Sequence, residues 1–402
     1  MLWNSVGTLF YYGCQWLLTV LVVHFKGGYS DAGVLSLAIS ISNPLFVAAC
    51  LNLRNFQVSE LEGRFSEGDF LVNRVLTSTA SIVLCVCIVV CSKCSKYERL
   101  CIIGFVIFKV SEALVDVLHG MDQKVWRLDI AGRSFILRGF AILFSIAFGT
   151  VLGRSLGVTI LCMILSTYLI IVCYDFRTCK RLIHPDFSYT RSNIVSLIKI
   201  GIPLAIYSLF LSLISTYPRM QLEAQYGKEL LGIFASIATP TVLVTQLASF
   251  IFSPLMGIFA ECKKEHDKSR LHRLLFIATG STLVIGFLAI IMSEMLGGWI
   301  LALLFGESIK AYSYLLTPIV FTAILTAIIW FLCGILTVFN DYYILAAFTF
   351  VSFLFCILSS PYLISGKQLM GAVLSLLISL IIELTLLLVR LIYLLKMKDL
   401  LI

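Results

Sequence analysis

Charge is what this sequence has least of. Only 13% of its 402 residues are Asp, Glu, Lys or Arg, and 60% are hydrophobic. A soluble domain carries about a quarter charged residues and roughly half apolar ones. The mean hydropathy of +1.01 exceeds what a buried core requires, so lipid must be the solvent. Apolar runs are continuous rather than alternating, which excludes a transmembrane β-barrel. Catalytic signatures are missing too. No GxxxxGK[ST], HExxH or GxSxG occurs, and the five histidines are dispersed. P-loop ATP hydrolysis, zinc peptidase chemistry and serine hydrolase chemistry have no residues to run on, and the chain reads as a non-enzyme. The opening "MLWNSVGTLFYYGCQWLLTVLVV" lacks a basic leader and a small-residue cleavage site, so it reads as a retained first membrane helix. Thirteen cysteines are scattered, mostly within apolar runs. Cys91 and Cys94 form a CxxC without a second pair or a His pair, so they read as small hydrophobes, and neither metal nor cofactor is expected.

What is present is a series of apolar stretches, at 5–23, 32–53, 74–92, 100–119, 136–153, 156–174, 196–217, 231–259, 274–304, 312–338, 343–364 and 370–395. They predict an all-α polytopic membrane protein with about twelve transmembrane helices. Basic residues alternate by side. Arg54, Arg64, Arg74, Lys124, Arg127, Arg133, Arg138, Arg177, Lys180, Arg181 and the run Lys263–Arg273 fall on one side, against sparser charges such as Lys26, Arg154 and Lys310 on the other. The bias predicts both termini in the cytoplasm. The net charge of +8 then reflects topology and attraction to membrane lipids, and calls for no nucleic acid. An internal repeat at an offset of 199 pairs Gly28 with Gly227, Gly33 with Gly232, Glu62 with Glu261, Arg64 with Lys263 and Arg74 with Arg273. Six spans separate the copies. The expected architecture is therefore two parallel, pseudo-symmetric six-helix lobes, 1–195 and 196–402, around a central cavity.

One span breaks the apolar rule. Residues 100–119 hold Lys109, Glu112 and Asp116. Its twelve Leu, Ile, Val and Phe residues favour insertion by about 5 kcal/mol in all. Three bare charges near its centre would oppose insertion by about 9 kcal/mol. The charges must pair, neutralise or face water. Their i, i+3, i+7 spacing puts them on one helix face, in a stripe that continues to Gln123 and Arg127. The opposite face, with Phe105, Val106 and Val110, is expected to take the lipid. Two readings of the stripe stay open: a structural Lys109–Glu112 pair that holds spans together, or a lining for a charged substrate or coupling ion. They overlap if Lys109 pairs with Glu112 while Asp116 stays free to take a proton. Arg54, in "CLNLRNFQVSE", reads either as a snorkelling anchor or as a ligand for an anionic headgroup. Arg219, in "STYPRMQLEAQYG", opposes the charge rule and reads either as a cavity cation or as a headgroup contact. Pro203, Pro218, Pro240 and Pro254 are expected to bend their helices.

These residues carry a resemblance. "FKVSEALVDVLHGMDQKVWRLDIAGRSFILRG" resembles a pattern of Wzx-type lipid-linked oligosaccharide flippases, the polysaccharide biosynthesis proteins of the multidrug/oligosaccharidyl-lipid/polysaccharide exporter superfamily. The matching positions are Lys109, Glu112, Asp116, Gly120, Gln123, Arg127, Asp129, Ser134 and Arg138. "LNLRNFQVSE" and "YPRMQLEAQYGKELLGIF" are similar to two further stretches, although Glu60 stands where Asp is more usual. The resemblance implies two six-helix lobes with a cavity that alternates between the two faces of the bacterial inner (cytoplasmic) membrane. It implies an undecaprenyl-pyrophosphate-linked repeat unit of O-antigen, lipopolysaccharide or capsule as substrate, with no cofactor and with proton or sodium as candidate coupling ions. A polysaccharide polymerase and a chain-length regulator are the candidate partners. Arg54, Lys109 and Arg219 would bind substrate, and Glu112 and Asp116 would couple an ion or pair within the membrane. Three rivals remain. A multidrug or metabolite antiporter of the same superfamily often needs a carboxylate in its first span, and residues 5–23 have none. A membrane polymerase or acyltransferase usually carries a long outer loop, and here those loops are short. A scaffold would not need mid-membrane charge.

Overall fold

The structure is a computed structural model that describes residues 2–59, 64–92, 94–152, 155–182, 185–242, 268–339 and 341–396, with scattered positions between 244 and 265. Among the described residues every regular element is helical. The chain groups into two compact units, Met1–Ser212 and Leu213–Ile402.

The first unit contains α1 (Leu2–Leu21), α2 (Tyr29–Cys50), the short α3 (Arg54–Ser59), α4 (Glu67–Cys91), α5 (Lys96–Lys124), α6 (Leu128–Val151), and α7 (Leu156–Ile170). A π-helical stretch, Ile171–Phe176, joins α7 to α8 (Arg177–Leu182), and α9 (Arg191–Tyr226) runs on from there. Capping boxes start α4 (Ser66 with Asp69) and α5 (Ser95 with Glu98), each satisfying two backbone donors that the first turn leaves open. The Asp69 carboxylate also accepts from Thr190 N and Asn193 Nδ2, both at 2.8 Å, and so fastens the start of α9 to the start of α4. The outer surface is apolar, as lipid contact requires: Leu161, Leu165 and Leu169, one turn apart on α7, are all more than half exposed.

The second unit contains the rest of α9, then α10 (Lys228–Ala238), α11 (Lys268–Phe305), a 3-10 stretch Glu307–Leu315, α12 (Leu316–Val338) and α13 (Tyr342–Lys396). α13 is a hairpin of two helical arms, broken at Gln368, whose φ of 49° and ψ of −121° interrupt the helix. Ser360 Oγ meets Ser375 Oγ at 2.6 Å across the arms. Arg390 closes their far end on Asp341 through Nε at 2.6 Å and Nη2 at 3.2 Å.

Eight described helices are long and apolar enough to cross a bilayer. A ninth span is α9, bent by 49° between Arg191–Pro203 and Ala205–Tyr226; proline removes a helix hydrogen bond at that point. Counting α5 and each arm of α13, eleven of the twelve expected spans are traced. The remaining one, 231–259, begins in α10 and lies for much of its length outside the described residues, as do Pro254, Glu62, Glu261 and Lys263. The repeat is visible in the backbone. Gly28 and Gly227 each precede a helix, with φ of 55° and 83°, a region where glycine carries no Cβ penalty. Gly33 and Gly232 are buried one turn on. The likeness stops at Arg74, which is 3% exposed where Arg273 is exposed.

Candidate functional site

α5 is the inner helix of the first unit and packs against α2, α3, α4, α6 and α7. That corrects one expectation. Phe105, Val106 and Val110 do not take the lipid; they are 4%, 2% and 7% exposed. A helix with neighbours on several sides buries its apolar face among them, and its polar stripe takes what access remains. Lys109, Glu112, Leu114, Asp116 and Gln123 are half-buried.

The stripe divides into two ion-paired groups. In the first, Lys109 Nζ binds Glu112 Oε2 at 2.6 Å. α1 completes this group: Tyr11 OH and Gln15 Nε2 donate to Glu112 Oε1, the latter at 2.6 Å. The Lys109 ammonium stands 5.7 Å from the centre of the Phe46 ring, within cation–π range. It lines a narrow crevice of about 10 Å³ with Ser42, Leu45, Ala49 and Ser81 of α2 and α4.

In the second group Asp116 lies between two guanidinium groups. Arg54 Nη1 donates to Oδ1 at 3.1 Å and Arg74 Nη2 to Oδ2 at 3.1 Å. Arg54 also reaches Gln123 Oε1, at 3.3 Å, with Nη2. Asp116 is therefore ion-paired on both oxygens, where the sequence left it as a carboxylate without a partner. Arg54 retains 30% of its side-chain exposure. Arg74, which reads in the sequence as a loop charge, is buried in α4, and its Nη1 has no hydrogen-bond partner.

The short helix α3 sets the reach of Arg54. α2 ends in two left-handed residues, Leu51 and Asn52, with φ of 48° and 52°, and Asn52 Nδ2 donates to Tyr207 OH at 3.2 Å. The turn throws α3 back against α5. There Gln57, 1% exposed, donates to Glu67 Oε2 at 2.9 Å and Val117 O at 3.3 Å, and Lys124 pairs with the same Glu67 at 3.1 Å. Gly120 permits this approach, because a Cβ there would fall on the Gln57 carboxamide.

Arg219 belongs to the second unit. It is half-buried on α9, with its guanidinium carbon 6.0 Å from the centre of the Phe234 ring of α10. Among the described residues no carboxylate pairs with it.

The geometry is that of a helical membrane bundle with a charged seam, and the comparisons agree. No family model matches the chain. A curated relative, the capsular polysaccharide biosynthesis protein CapF of Staphylococcus aureus, is 25% identical over 376 residues, covering 91% of this chain and 92% of its own length. An inward-facing multidrug resistance MATE family transporter of the MOP superfamily superposes with a TM-score of 0.76 at 13% identity, over 96% of each chain. The lipid II flippase MurJ in an inward closed conformation gives 0.70 at 14% identity, over 97% of this chain and 87% of that one. The chain has the fold of these transporters. The resemblance read from residues 108–139 to polysaccharide biosynthesis proteins is supported by a relative of that description that runs nearly end to end. Where an antiporter of this fold often has a first-span carboxylate, α1 here presents Tyr11 and Gln15 to the seam instead.

Proposed function

We propose that the protein is a flippase. It moves undecaprenyl-pyrophosphate-linked oligosaccharide repeat units from the cytoplasmic to the outer leaflet of the bacterial cytoplasmic membrane by alternating access, with both termini cytoplasmic and lobes at 1–195 and 196–402. Of the polymers considered, capsule is favoured over O-antigen, because the relative's description is capsular. No bond is made or broken; the work is charge compensation. A pyrophosphate carries two or more negative charges and crosses oil only if fixed cations replace its hydration. Arg54 and Lys109 are the cations we assign to that role, with Arg219 as a further one, and Glu112 and Asp116 as the carboxylates that hold the first two in place.

The observation that carries this reading is the convergence of a partly exposed Arg54 and a buried Arg74 on one carboxylate of α5. Paired guanidinium groups with planar donors match phosphate geometry better than ammonium does. The antiporter reading draws on the MATE fold likeness, and the two readings part on substrate. In a strain lacking the chromosomal copy, the wild-type gene should restore surface polysaccharide and Arg54→Ala should not, with lipid-linked repeat units accumulating on the inner leaflet. Restored polymer with Arg54→Ala, or efflux of small drugs without any polymer, would overturn the proposal.

A further inference from the structure

A second set of charges lies buried in the first unit, beside the Arg54 seam. Asp175 sits in the π-helical stretch Ile171–Phe176, a departure from regular helix that frequently marks functional positions. Its carboxylate is 3.7 Å from Arg138 Nη2 and 3.9 Å from His119 Nε2, too far for a hydrogen bond in either case. Asp122 follows His119 by three residues on the same face of α5 and is within electrostatic reach of Asp175. Among the described residues it has no ion-pair partner. His119, Asp122, Arg138 and Asp175 are each no more than 3% exposed.

The polar atoms of this cluster are left over. Among the described residues, His119 Nε2, Asp122 Oδ1, Ser134 Oγ, Arg138 Nε and Nη2, and both oxygens of Asp175 lack hydrogen-bond partners. Buried polar groups are nearly always bonded, so seven orphans at one place mark a site with a small polar occupant. The charges say which. Within the cluster two carboxylates face one guanidinium, one negative charge in excess, and the neighbouring cations Arg54 and Arg127 are already paired with Asp116 and Asp129. The other groups around them are Arg54 from α3, Arg127 from the turn before α6, Asp129 and Arg133 from α6, Tyr174 beside Asp175, and Cys179 from α8. A metal cation would have to sit among donors that include the Arg138 guanidinium; a proton on a carboxylate meets no such repulsion. A cationic His119 would add a second positive group beside Arg138.

We propose that His119, Asp122, Arg138 and Asp175 form a proton-binding site. It takes one proton from water onto the Asp122 carboxylate, which makes the cluster neutral, and ordered water bonds the remaining orphan atoms. The site does not depend on the transport reading, because it is a property of the resting protein and is measured without substrate. Infrared spectra of the purified full chain at neutral pH, with aspartate carrying carbon-13 in its side-chain carboxyl, test it. The wild type should show an un-ionised carboxylic acid that shifts with the label, which separates it from Glu383. Asp122→Asn should remove that component. Asp175→Asn should remove it too, since Arg138 then balances an ionised Asp122. Glu383→Gln should leave it in place. A wild-type spectrum without a label-shifted acid overturns the proposal, as does a component that survives in whichever of the two aspartate variants folds.

Discussion

The two units share a helical plan and treat charge in opposite ways. In the first, Asp116 binds Arg54 and Arg74, and Glu112 takes Lys109, Tyr11 and Gln15. In the second, Glu383 on the last arm of α13 is fully buried with neither oxygen bonded among the described residues, and the hairpin is held by hydroxyls such as Ser360 and Ser375 and by one ion pair, Arg390–Asp341, at its far end. A repeat preserves backbone devices, as Gly28 and Gly227 do, because they depend on φ alone. It need not preserve charge: among the described residues the carboxylate held by two guanidinium groups belongs to the first copy.

That contrast can be broken by substitution. The largest effect is expected from Asp116→Ala. It leaves Arg74 buried and uncompensated, a loss of about 3–5 kcal/mol by analogy with other broken buried pairs, and should appear as a much lower melting temperature in detergent. Arg54→Ala should leave the fold nearly intact, because that side chain is partly exposed and Arg74 still holds Asp116, yet abolish polymer export. Arg54→Lys should fall between Arg54→Ala and wild type in export, since an ammonium restores charge but cannot reach Asp116 and Gln123 in the same planar way. Lys109→Ala should abolish export with protein level unchanged in immunoblots, because Tyr11 and Gln15 still bond Glu112. Gly120→Ala would crowd Gln57 and displace α3, costing roughly 1–3 kcal/mol and lowering export in proportion. The smallest effect is expected in the second unit: Glu383→Gln removes no ion pair and should shift the melting temperature little. Equal loss of stability from Glu383→Gln and Asp116→Ala would erase the distinction between the lobes.

Much of this was legible in the sequence. Hydropathy placed the spans, since lipid leaves the chain few options, and the energetic conflict in residues 100–119 required that their charges be satisfied. The Lys109–Glu112 pair followed from i, i+3 spacing. Other features were hidden because they depend on distant neighbours. Arg74 looked like one more cytoplasmic charge, and nothing local says that it turns inward to Asp116, 42 residues away. Arg138 and Asp175 were invisible as a pair for the same reason. The outward orientation assumed for Phe105 and Val106 failed because periodicity reports a face and not what covers it. The break in α13 at Gln368, by contrast, falls in the gap that hydropathy leaves between the spans 343–364 and 370–395. A short α3 after two left-handed residues had no signature beyond Asn52, a residue that tolerates that conformation.

Under the proposed function, the carboxylate between Arg54 and Arg74 also sets an entrance requirement. Asp116 is tethered, so its local concentration beside the two arginines is far above that of any free anion. A singly charged ion competing for the same donors would lose to it. Only a guest with at least two charges on adjacent groups has more to offer than the resident side chain. Discrimination among anions is then achieved by internal competition, before any sugar is examined.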